Sequence, residues 1–155
     1  MTRLLIQEFR DALLKFNFEG VEFLLVGAYA LATYGLPRAT GDIDFWIRPS
    51  RDNSQRVWNA LARFGAPMAS VAAADFEQKG LIFQIGVAPR RIDVITEIDG
   101  VTFDEAWDRR REVIVDGIKI FVISKTDLMR NKAAAGRPKD LADIAWLQAN
   151  EDSQT

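Results

Sequence analysis

The 155-residue chain has no cysteine and no histidine. Without cysteine, disulfides and thiolate zinc sites are excluded, which fits a reducing cytoplasm. Without histidine there is no ordinary general base for neutral pH, no common transition-metal ligand, and no Ser-His or Cys-His mechanism. Any metal must then be a hard cation held by oxygen, such as magnesium or manganese. Long apolar runs are also lacking: the longest are strand-sized, and the first twenty residues carry charges throughout. Neither a membrane span nor a signal peptide is expected, so the expected location is the cytoplasm, with no membrane partner. Positive charge is not in surplus, with 20 basic against 22 acidic residues and a net charge of −2. That argues against a whole-surface grip on nucleic acid.

What is present is an ordinary globular mix, 48% apolar and 27% charged. With no repeat, low-complexity segment or linker, the chain reads as one domain over 1–149 and a polar tail over 150–155. Apolar residues at helical spacing predict a helix over 3–16. A buried strand follows at 21–26, ended by Gly27, then a short helix over 28–34 closed by Gly35. The next strand is 42–47, stopped by Pro49, and a helix over 53–64 ends at Gly65. The stretch 66–80 has no clear period. Two strands, 81–85 and 91–95, flank a turn marked by Gly86 and Pro89, and a short helix covers 103–110. Asp116-Gly117 between 112–115 and 118–123 signals a hairpin with a type I′ turn. Ser124 opens a helix to about Ala135, Gly136 closes it, and Pro138 starts the last one. This order predicts an α+β fold, a mixed β-sheet flanked by helices.

Chemistry concentrates in "GDIDFW". Strand side chains alternate, so Asp42 and Asp44 share one face with Trp46, while Ile43, Phe45 and Ile47 fill the other. An Asp-x-Asp pair alone is commonplace, and two solvated carboxylates would explain it. Here the apolar face anchors the strand and fixes the acidic one. In "RRIDVI", Asp93 alternates with Ile92 and Val94; either it joins the pair or it is a strand residue paired to Arg91. Three carboxylates together can hold divalent cations for phosphoryl transfer. Upstream, "LLVGAYALATYG" runs from a strand through one glycine into a helix start, where free backbone N–H groups can seat a phosphate. Between Lys125 and Lys139 lie five basic residues against Asp127 alone. Lys125 and Lys132 share a helix face with Leu128 and Met129, which suits contact with a triphosphate; a solvated basic face competes as the explanation for Arg130, Arg137 and Lys139.

Together these segments resemble the nucleotidyltransferase superfamily that includes DNA polymerase beta. "VGAYALATYGLPRATGDIDFWI" followed by "RIDVI" matches its strand, glycine turn, helix, Asp-x-Asp strand and later lone Asp. "SKTDLMRNKAAAGRPKDLADIAWL" resembles the C-terminal helices of bacterial minimal and abortive-infection-type members, including toxin–antitoxin proteins. The likeness covers about residues 21–148 and implies a minimal nucleotidyltransferase fold with C-terminal helices. It implies metal ligation and catalysis by Asp42, Asp44 and Asp93, with magnesium or manganese as cofactor and a nucleoside triphosphate as substrate. For the nucleotide it implies Gly27 and Ala28 at the phosphate turn, and Arg38 and Thr40 before the acids. Lys125, Lys132 and Lys139 are the candidate phosphate contacts. Ala28 departs from the pattern, since many members have Gly or Ser there, and a hydroxyl is missing. The implied activity moves a nucleoside monophosphate to an acceptor hydroxyl on RNA such as tRNA, on a protein, or on a small molecule. The acceptor site is open or completed by a dimer mate, and a cognate toxin or antitoxin is an expected partner. The alternative is a catalytically inactive module of the same fold that acts by binding a protein partner.

Overall fold

The computed structural model describes residues 5–36, 41–87 and 89–150. Helix α1 (Gln7–Phe18) leads into strand β1 (Phe23–Val26), helix α2 (Gly27–Thr33), strand β2 (Asp42–Ile47) and helix α3 (Arg51–Phe64). Strands β3 (Ile82–Val87) and β4 (Arg90–Ile95) follow, then helix α4 (Phe103–Asp108), strands β5 (Arg111–Val115) and β6 (Ile118–Val122), and helices α5 (Lys125–Ala135) and α6 (Pro138–Ala149). The six strands form one sheet in the order β3-β4-β2-β1-β6-β5. β1 runs antiparallel to β2 but parallel to β6, and β2 runs parallel to β4. The sheet is mixed and carries helices, as the order of elements implied. No helix among the described residues is long and apolar enough to cross a membrane.

The two faces of β2 differ as its alternation requires. Ile43, Phe45 and Ile47 are fully buried, and Phe45 meets Phe16 of α1 with ring centroids 4.9 Å apart. This face anchors the strand: burying a large apolar side chain contributes about 1.5–3 kcal/mol. On the opposite face Trp46 is covered by Phe103 of α4, 5.1 Å between rings, leaving Asp42 and Asp44 beyond the edge of that cover. At the hairpin, Asp116 and Gly117 both take positive φ, 52° and 80°, as a type I′ turn demands.

Several boundaries differ from the sequence reading, and the first helix, expected over 3–16, starts at Gln7. The first helix runs two residues further, to Phe18, because Glu19 N–H still bonds the Lys15 carbonyl. Helix α3 starts at Arg51, since Ser50 caps it by accepting from the Asn53 N–H. Within 66–80 a 3-10 turn, Ala73–Glu77, drives Phe76 into the core against Phe83. Phe76 is the fully buried side chain of that segment, so no helical or strand period marks it.

Candidate active site

Strand pairing builds the site. Asp44 lies opposite Val26 on β1 and opposite Asp93 on β4, and Asp42 lies opposite Arg91. Directly paired residues on neighbouring strands share a face, so three carboxylates and one guanidinium stand together. Arg91 Nε donates to Asp93 Oδ1 at 2.8 Å, and its Nη2 reaches Asp93 Oδ2 at 3.2 Å and Asp42 Oδ2 at 3.1 Å. Arg91 thus bridges two of the three carboxylates. Burial, the Asp93 charge and its hydrogen bond, and then the Asp42 charge push the Asp44 carboxyl up to about 7; Arg91 opposes them only weakly. Asp44 therefore keeps its proton to a pH well above the usual carboxylate range. Asp93, in turn, raises the proton affinity of Arg91 by hydrogen bonding and charge.

Gly27 closes the site from β1. Its φ of +69° is left-handed, and a Cβ placed there would run into Asp44 Oδ2. Only glycine lets the chain turn from β1 into α2 while its backbone lies against the carboxylate. In front of the acids opens a cleft of about 610 Å³ whose walls include Gly27, Asp44, Asp93, Gln84, Asn131 and Arg137.

The structure thus brings Asp42, Asp44, Asp93 and Gly27 together, with Ala28 next in the first turn of α2. Arg38 and Thr40 lie outside the described residues. The three lysines are not brought to the cleft. Lys125 Nζ donates to the Asn150 carbonyl at 3.0 Å, and Lys139 is exposed at the start of α6. Lys132 is buried, with Nζ 2.9 Å from Asp143 Oδ2 and 3.5 Å from Asp140 Oδ1. Its donors serve two carboxylates of α6, so it joins α5 to α6 rather than facing the acids of the sheet. The cations that do reach the cleft are Arg91 and Arg137. For Arg91 the signal was legible: it stands two residues before Asp93, hence on its face. Arg137 is placed by the Gly136 turn between two helices, which sequence periodicity does not locate.

A hard cation suits this donor set, which is all oxygen. As the side chains stand, no three acids among the described residues form a metal-holding group, and the Arg91 fork is engaged with two of them. Its side chain is 31% exposed, so it has room to turn outward. The residues fit the ion once Arg91 yields Asp42 and Asp93.

A family model described as "nucleotidyltransferase of unknown function (DUF6036)" matches residues 4–148. Among solved structures, the chain resembles a candidate nucleotidyltransferase of Thermotoga maritima at 18% identity, covering 91% of each chain with a TM-score of 0.58. It also resembles the lincosamide antibiotic adenylyltransferase LnuA with lincomycin bound, at 16% identity, covering 96% of this chain and 99% of that one with a TM-score of 0.59. At such identities the likeness is one of fold. No curated protein matches the sequence.

Proposed function

Because the chain belongs to the nucleotidyltransferases of unknown function (DUF6036), we propose that it moves a nucleoside monophosphate from a nucleoside triphosphate to an acceptor hydroxyl. The observation that carries this reading is the in-register pairing of Asp44 with Asp93, beside Asp42 and against the Gly27 backbone. Asp42, Asp44 and Asp93 would hold magnesium or manganese. The bound ion supplies positive charge to the phosphates and acidifies the acceptor hydroxyl. The protein's own residues do the positioning. Gly27 and Ala28 offer backbone N–H groups to the phosphates, and Arg137, itself bonded to Asp140, lines the same cleft. The acceptor oxygen bonds to the α phosphorus, the bond to the β-phosphate bridge breaks, and pyrophosphate leaves. Asp93, which lines the cleft, would take the hydroxyl proton.

The test is to incubate the protein with α-labelled nucleoside triphosphates, magnesium, and pools of tRNA, cell protein and small hydroxylated compounds. Wild type transfers label to one pool and Asp44→Asn to none. Equal labelling by both would remove Asp44 from the mechanism. If wild type neither labels nor binds nucleotide, the module that acts by binding a toxin or antitoxin partner becomes the better account.

A further inference from the structure

Arg91 stands among the acids as a bound ion would. Its Nε and Nη2 engage both oxygens of Asp93, at 2.8 and 3.2 Å, and Nη2 also reaches Asp42 at 3.1 Å. A forked guanidinium–carboxylate pair is one of the stronger charge-assisted contacts. A divalent ion that is to use Asp42 and Asp93 must displace it, and loses in affinity what those bonds contribute. The displaced side chain has room. It is partly exposed, and its partner across the strand pair is Gly86, which puts no side chain in its way. With the sheet and the acids beneath it, the guanidinium turns outward over the cleft that it already lines.

Beyond the ion, on that outward side, the phosphates of a nucleotide would stand. They carry more negative charge than one divalent ion neutralises, so a protein cation is called for. Among the described residues the cleft is lined by two, Arg91 and Arg137. Arg137 is tied to Asp140 through Nε and Nη2, at 2.6 and 3.2 Å. Arg91 is the one that arrival of an ion sets free. Resting on the nucleotidyl-transfer reading, we propose that Arg91 is an exchangeable counter-ion. It holds Asp42 and Asp93 until a divalent ion takes them, and then pairs with the phosphates of the nucleotide. The ion alone breaks the Arg91 bonds without replacing them, whereas ion and nucleotide together replace them. Each therefore favours binding of the other, by an equal free energy.

The experiment compares the full chain with Arg91→Gln and Arg90→Gln. Arg90 is the exposed neighbour on β4, with its side chain on the other face, so its loss removes the same charge without freeing an acid. Manganese is titrated alone, with free ion followed by electron paramagnetic resonance. The α,β-methylene analogue of ATP, which cannot be cleaved by transfer, is then titrated by calorimetry at saturating manganese. Arg91→Gln binds manganese about tenfold tighter than wild type and the analogue about tenfold more weakly, the scale of a charge-assisted bond. Without the ion it melts below wild type. Should it not fold, Arg91→Lys, which keeps a charge but not the planar fork, takes its place with the same directions of change. The proposal is overturned if the Arg91 variant binds manganese no tighter than wild type, or if Arg90→Gln tightens it as much. Equal binding of the analogue by wild type and variant overturns it too. Wild type keeps the two claims apart. If it binds ion and analogue but the Arg91 variant behaves alike, the exchange fails and nucleotidyl transfer stands; if it binds neither, both fail.

Discussion

Two charged clusters in this molecule are built from the same residue types and differ in what surrounds them. Between α5 and α6, Lys132 and Arg137 face Asp140 and Asp143, two charges of each sign, with Asp140 held by Arg137 at 2.6 Å. There the Arg137 hydrogen bond holds the Asp140 carboxyl below its usual range. On the sheet, Asp42, Asp44 and Asp93 stand around Arg91, and Asp44 is pushed up to about 7. The first cluster is complete, so its charges hold two helices together. The second crowds Asp44 against two other carboxylates in a buried place, a condition that costs stability and that a cation relieves. The sign of the pKa shift, more than the number of acids, separates a scaffold cluster from a candidate site.

The largest expected effect breaks the balanced cluster. Lys132→Ala leaves two buried carboxylates without their ammonium and should cost about 3–5 kcal/mol in a denaturant titration. Unchanged stability with weakened triphosphate binding would instead make Lys132 a ligand contact and collapse the contrast. Next comes the pH profile. The folded Asp44 carboxyl titrates above its unfolded value, so its stabilising contribution is full below about pH 4 and is lost as pH rises through about 7. Wild type should lose roughly 2–4 kcal/mol across that window, and Asp44→Asn should lack this loss and be at least as stable at pH 8. Asp140 has the opposite sign: its contribution is present above the unfolded carboxylate range and fades in more acid solution. A smaller effect comes from Gly27→Ala. The left-handed backbone alone costs about 1–2 kcal/mol, and the new methyl group displaces Asp44, so metal-dependent activity should fall more than the melting temperature suggests.

The sheet and the acid patch were legible in the sequence because both follow from a period of two. Alternation placed Asp42, Asp44 and Trp46 on one face, and the same rule puts Arg91 beside Asp93. The DUF6036 match agrees with the resemblance read from those segments. The roles of the lysines were not legible. A helical face tells which side chains neighbour one another, but not which helix packs there, and Lys132 found Asp140 and Asp143 on a helix eight to eleven positions ahead. The cover over Trp46 was hidden for a similar reason. Trp46 was placed on the acidic face, but the contact of Phe103 with it depends on where α4 folds back.

The central claim is that the three clustered acids hold a divalent cation. Manganese titrated into the protein at pH 8, with free ion followed by electron paramagnetic resonance, tests it without any acceptor. The account predicts saturable binding by wild type that Asp44→Asn weakens at least tenfold, because an amide is a poorer ligand than a carboxylate for a hard cation. The wild-type affinity should also fall as pH drops below 7 and Asp44 takes up its proton. Equal manganese binding by wild type and Asp44→Asn, or no binding by either, would contradict it.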